Sequence, residues 1–403
     1  MINWSRPAVI VTLAAAGIVM MTMGARQTLG LFVSPLNSST GLGIVTISLA
    51  MAVAQFTWGA VQPIAGALAD RHGPRLVLIA GLVVLALGTA LTPFMSSGFG
   101  LIVSIGLLSA IGAGAGSFSV LIGAAANRLP PEARGTASGV INAGGSFGQF
   151  VFAPVAQKLI QVFGWMGAMW GLAAITLAAL PLVGLVARRG TSAPKAMPGD
   201  TGVLNAVRSA MGDRSYLLLH AGFFTCGFHI AFLVTHLPGE VELCGLPATV
   251  ASWSLALIGL ANIAGSLLAG ASISRYRSKI TLAVMYGSRA LLIALYLAAP
   301  KTDLTFYVFA IGLGLTWLAT VPPTAAIVGK LFGVRYLATL FGLTLLSHQI
   351  GGFFGAYLGG LALEGSGSYQ WMWYADMALA ALAAAVNLPI REAPVRMVPA
   401  AAA

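Results

Sequence analysis

Apolar residues in this chain come in long continuous runs. They do not follow the period-2 alternation of a half-buried strand or the one-sided stripe of a soluble helix. A helix needs ~20 mostly apolar residues to cross the hydrocarbon core of a bilayer. Such runs lie at residues 8–35, 43–69, 76–96, 99–127, 135–161 and 165–187, then at 214–238, 247–272, 280–299, 304–330, 336–363 and 370–390. Gly, Ser and Asn clusters such as NSSTGLG at 37–43 and MSSGFG at 95–100 punctuate them. The pattern predicts an all-α membrane protein of twelve transmembrane helices, spans 1 to 12. The longest polar stretch, 188–213, parts six spans from six. The expected organisation is an N-terminal six-helix bundle over 1–187, a cytoplasmic linker over 188–213 with a short amphipathic helix near 201–211, and a C-terminal six-helix bundle over 214–403.

Composition changes the solvent, not the pattern. Hydrophobic residues make up 58% of the 403 and charged residues only 8%, against about a quarter charged in a soluble domain. Most side chains must therefore face lipid or one another. The net charge of +11 would suggest nucleic acid on a soluble protein; here it reads as positive-inside loops, with no nucleic-acid partner. Of the 21 Lys and Arg, Lys158 and Lys301 fall on the far side and Arg26 and Arg289 inside spans. The remaining seventeen share the linker's side, which predicts an inner-membrane protein with both termini cytoplasmic. The first apolar run reads as a retained helix rather than a cleaved signal. Cys226 falls inside an apolar run and Cys244 in a short loop, a poor basis for a disulfide. No nucleophile triad, phosphate loop or metal-ligand spacing stands out, so neither an enzyme, a cofactor nor a metal is expected.

The two halves echo each other. GARQTLGLFVSP in span 1 places Gly24, Arg26 and Pro35 at the spacing of Gly227, His229 and Pro238 in GFHIAFLVTHLP of span 7, at an offset of 203. GALADRHGPR from Gly66 after span 2 is echoed by GASISRYRSK from Gly270 after span 8, at an offset of 204. A same-orientation repeat of half the chain is the mark of parallel transporter halves. It makes Arg26 and His229 pseudo-symmetric.

GALADRHGPR resembles the signature between spans 2 and 3 of the major facilitator superfamily, through Gly66, Asp70, Arg71, Gly73 and Arg75. The resemblance implies that superfamily's fold, one pathway between two halves, and a gate at this loop. Asp70 can accept from Arg side chains and from a helix N-terminus of the other bundle, and that latch must break when the inside opens. The echo at Ser274 and Arg275 lacks the acid, which predicts a weaker second latch.

RGTASGVINAGGSFG from Arg134 is similar to the start of span 5 in the monocarboxylate porter and oxalate–formate antiporter branch, through Ala137, Gly139, Ala143, Gly144 and Gly148. Small residues at this spacing also simply let helices approach. The motif itself says little about the substrate; the resemblance in layout covers nearly the whole chain, and a monocarboxylate is the anion expected of that branch. The chain departs from it in span 8: where those porters carry an Asp and, one turn later, an Arg, it has Asn262 and Ser266. An anion site here must use other residues.

Ionisable groups inside spans are costly and are functional candidates. Arg26 carries a permanent forked charge suited to a carboxylate, although it could also brace carbonyls. His229 and His348 can titrate near neutral pH or sit neutral in the bundle; Gln349 adjoins His348. Asn142 and Gln149 lie seven apart on one face of span 5 and could line the path. Arg289 of span 9 should point inward as a structural brace, and Asp376 of span 12 reads as a water-facing or structural partner. With almost no carboxylate in the core spans, the reading is a secondary transporter of a small organic anion, with proton symport or anion exchange. The alternative is an efflux transporter for an amphipathic drug or metabolite; a membrane receptor is disfavoured by the lack of a signalling domain. Two halves complete a pathway, so a monomer is expected.

Overall fold

A computed structural model describes residues 6–187 and 202–395. Residues 188–201 of the expected linker, with Arg188, Arg189 and Lys195, lie outside the described residues, as does Arg396. The described chain is helical throughout. Its principal helices are α1 (Arg6–Gln27), α2 (Ile44–His72), α3 (Pro74–Leu91), α4 (Gly98–Ala126), α7 (Arg214–Leu243), α8 (Ala248–Ser272), α9 (Ser278–Ala298), α11 (Leu337–Ser366) and α12 (Gln370–Asn387). The run Pro131–Leu177 turns at Gly164 (φ 70°, ψ 171°), which separates α5 (131–163) from α6 (165–186). Each predicted apolar run thus carries helix. Among the described residues, eight stretches are long and apolar enough to cross a membrane. The expected short linker helix is Gly202–Met211.

Helix boundaries follow local chemistry. Pro74 and Pro131 open their helices, where a missing N–H costs nothing. Asp213 caps α7 by accepting from Tyr216 N–H (3.0 Å). Gly73, at φ 89°, turns the chain between α2 and α3; a side chain there would strain that conformation.

One span departs from its predicted continuity. The run 304–330 is two helices, Asp303–Gly314 and Val321–Phe332, together α10, around an irregular segment at 315–320. Pro322 has no N–H with which to continue the helical ladder onto Leu318. The Leu318 carbonyl instead takes Val321 N–H (3.0 Å) and a side chain described below.

Packing repeats across the two halves. α1 packs on α5 as α7 packs on α11. Gly144 and Gly148 lie against the Ala16 and Met20 carbonyls, as Gly351 and Gly355 lie against those of Phe224 and Phe228. A Cβ at any of these four places would collide with backbone, so glycine sets the interhelical distance. The halves meet along two seams, α2 with α11 and α5 with α8. α3, α6 and α9 lie outward, with Leu76, Val284 and Leu291 exposed for lipid to cover.

Candidate functional site

Arg26 stands in the last turn of α1. Its guanidinium donates to Gln55 Oε1 of α2 and lies 4.4 Å from the ring centroid of Trp58, one turn further along α2. Both partners are neutral, and the half-buried Arg26 forms no ion pair among the described residues. Gly59, next to Trp58, fits against Gln349 of α11. Gln349 Nε2 lies 2.6 Å from His348 Nδ1. Gln349 thus sits where α11 meets α2, whereas the His348 ring faces α7 and packs 4.8 Å from that of Phe223.

His229 does not join Arg26. Its Nδ1 lies 2.6 Å from Asp376 Oδ2, with both side chains at most 2% exposed. Trp317 packs edge-on to the imidazole, 5.8 Å between centroids. His229 Nε2, Asp376 Oδ1 and Trp317 Nε1 have no hydrogen-bond partner in the structure. Asp376, expected as a water-facing or a structural partner, is buried, because the apolar α12 turns its one acid onto the imidazole.

Arg289 is buried and points inward from α9. It donates to Thr316 Oγ1 (3.2 Å), Cys226 Sγ (3.2 Å) and the carbonyls of Thr316 and Trp317, the latter at 2.5 Å. These are carbonyls of the irregular segment of α10, so the geometry is that of a brace.

At the α5–α8 seam four side chains form a reciprocal box. Asn142 Nδ2 donates to Ser266 Oγ (2.7 Å) and to the Leu318 carbonyl (2.7 Å). Asn262 Nδ2 donates to Ser146 Oγ (2.5 Å), and its Oδ1 accepts Leu318 N–H (3.1 Å). All four are fully buried. Gln149 lies one to two turns further along the same face, against Gly259. Asn142 and Gln149 are therefore at the junction of the halves, as one helix face requires. Ser266 and Asn262, noted in the sequence only for what they replace, turn out to be the partners of Asn142 and Ser146. The matching i, i+4 spacing of 142/146 and 262/266 was the available signal.

Asp70 ends α2. Its Oδ2 accepts Thr339 N–H (2.9 Å) and Thr339 Oγ–H (2.7 Å) in the first turn of α11. Gly66 admits the Ala338 carbonyl at the same point. Arg71 is exposed and Arg75 half-exposed. Arg134 stays within its own half, where Nε donates to the carbonyls of Ala126 (3.0 Å) and Leu129 (3.1 Å). In the second half, the acid missing from the Ser274–Arg275 loop is supplied by the tail. Glu392 accepts Lys279 N–H (2.7 Å) at the start of α9 and pairs with Lys330 (2.7 Å). Pattern reading missed it because it lies over a hundred residues from that loop.

Two packed halves, broken mid-span helices and polar groups gathered at the seams define a multi-pass membrane transporter. The chain belongs to the major facilitator superfamily, whose family model matches residues 15–356 and 243–402. It is 27% identical over 332 residues to monocarboxylate transporter 13 of Rattus norvegicus, covering 80% of this chain and 73% of that protein. It is 25% identical over 356 residues to the oxalate:formate antiporter of Oxalobacter formigenes, covering 84% and 81%. In fold it is similar to the crystal structure of the E. coli fucose:proton symporter, with a TM-score of 0.69 at 16% identity over 95% of this chain and 98% of that one. The resemblance to the monocarboxylate and oxalate–formate branch read from the sequence therefore stands.

Proposed function

We propose that the chain moves a small organic anion, a monocarboxylate, by alternating access, with protons as the coupling ion or a second anion in exchange. The observation that carries this reading is Arg26, a cation held by the amide of Gln55 and the face of Trp58 with no carboxylate paired to it among the described residues. An interior cation without a counter-ion is costly, and an incoming carboxylate relieves that cost with a bidentate contact. The names of the transporters to which the chain is similar agree with an anion of this size. Gln349, which reaches the same α2 face at Gly59, and its neighbour His348 complete the substrate contacts from the second half.

His229, held by Asp376, is the proton-carrying group. Its Nε2, without a hydrogen-bond partner among the described residues, is the atom that exchanges the proton, and Asp376 fixes the ring. Asn142 with Ser266, Asn262 with Ser146, and Asp70 with Thr339 hold the halves together on the linker face. Parting these contacts opens that face; re-forming them closes it. In this reading residues 1–187 and 214–403 move as two bundles in the inner membrane, both termini are cytoplasmic and a monomer suffices. Gly66, Asp70, Arg71, Arg75 and Arg134 form the gate, and Arg289 braces α10.

The efflux alternative draws on one observation, the buried Asp376, since an embedded acid is what a cationic drug would meet. Its engagement by His229 counts against that use. Uptake of radiolabelled monocarboxylates into proteoliposomes, with and without a pH gradient, separates the readings. Saturable carboxylate uptake supports anion transport. Its absence together with transport of a lipophilic cation supports efflux.

A further inference from the structure

We propose that the linker face of the second half carries a binding site for an anionic phospholipid headgroup, between the start of α7 and the end of α12. A cavity of 280 Å³ opens there, lined by Arg214, Ser215, Leu218, Pro389 and Arg391. A second, of 250 Å³, shares Ser215 and Arg391 and extends it along the tail. The walls are fixed. Arg391 N–H donates to Ser215 Oγ (3.0 Å), and Val395 N–H donates to the Leu331 carbonyl (2.8 Å).

Arg214 and Arg391 are exposed, and neither guanidinium donates a hydrogen bond or forms an ion pair among the described residues. Two acids are near: Asp213, which lines the second cavity and caps α7, and Glu392, which accepts Lys279 N–H and pairs with Lys330; neither pairs with Arg214 or Arg391. Two free guanidinium forks beside a pocket match the oxygens of a phosphodiester.

The surroundings select a lipid over a soluble phosphate. The linker helix Gly202–Met211 buries Ala206 and Ala210 and turns Leu204, Arg208 and Met211 outward. Leu217 and Leu388 are exposed on either flank of the arginines. Apolar side chains alternating with arginines suit the boundary between acyl chains and headgroups. The linker helix also packs on α7 and α11, and the first turn of α11 holds Asp70 through Thr339. A lipid seated here therefore steadies the base on which that contact rests. The proposal is independent of what the substrate is.

The test uses the purified full-length chain in nanodiscs of phosphatidylcholine, with or without phosphatidylglycerol, and native mass spectrometry of the lipids retained. Wild type should retain phosphatidylglycerol over phosphatidylcholine by about thirtyfold, from roughly two headgroup-contacting arginines. Arg214→Ala with Arg391→Ala should lose that preference, whereas Arg275→Ala with Arg277→Ala, which removes the same charge elsewhere on this face, should keep it. If the double variant does not fold, Arg391→Gln alone should lower the preference, since that side chain makes no internal bond. Hydrogen exchange of peptides around 66–72 and 337–343 should slow with phosphatidylglycerol in wild type only. No headgroup preference, equal loss in the control pair, or displacement by soluble glycerol phosphate at millimolar concentration would each overturn the proposal.

Discussion

His229 Nδ1 and Asp376 Oδ2 meet at 2.6 Å in the interior of the second half, between helices 147 residues apart in sequence. Breaking a buried pair leaves a charge or a polar atom stranded, at a cost of about 3–5 kcal/mol. Asp376→Asn and His229→Gln should therefore both lower the melting temperature. His229→Gln should also flatten the dependence of uptake on pH, while equilibrium exchange of labelled substrate persists. Measured pH profiles that are unchanged in folded His229→Gln would assign the proton elsewhere.

Asp70 accepts two hydrogen bonds from one residue of the opposite half, the N–H and hydroxyl of Thr339. Asp70→Asn keeps an acceptor oxygen but loses the charge that favours a helix N-terminus, worth about 0.3–1 kcal/mol or more when partly buried. The variant should insert normally, transport poorly and shift toward the state open on the linker face. Cysteine accessibility at that face would register the shift; full transport would show that the contact is incidental.

The Asn142–Ser266 and Asn262–Ser146 box closes the other seam. Asn142→Ala leaves Ser266 Oγ without its donor, at about 1–3 kcal/mol for that buried group, and leaves the Leu318 carbonyl only Val321 N–H. The same linker-face opening is expected, and the double variant with Asn262→Ala should cost less than the sum of the two singles, because both amides hold Leu318. A double-mutant cycle on melting temperature reads this out; strict additivity would mean that the amides act independently.

Much of this architecture can be read from residue pattern because bilayer physics is restrictive. Twelve apolar runs, the half-chain repeat and the Asp70 motif each follow from one local rule. The glycine contacts of α1 with α5 and of α7 with α11 lie where Gly144, Gly148, Gly351 and Gly355 mark them. Partners are harder, because they are set by packing over long separations. Gln55 and Trp58 sit in an apolar helix with nothing to flag them as the seat of Arg26. Asp376 reads equally as a water-facing or a structural group until α12 is folded against α7. The break in α10 was foreshadowed by Pro322 and Pro323, but the donors that satisfy it come from Asn142 and Arg289, on two other helices.

The central claim is that Arg26 supplies the charge that receives the anion. Loss of a charge-assisted contact in a sealed site costs ~2 kcal/mol or more, which is at least about thirtyfold in affinity. The most direct measurement is the dissociation constant of a labelled monocarboxylate for purified, demonstrably folded Arg26→Ala and Arg26→Lys. Arg26→Lys should bind weakly, having kept the charge and lost the fork, and Arg26→Ala should scarcely bind. Wild-type affinity and transport in folded Arg26→Ala would contradict the account and leave efflux as the better reading.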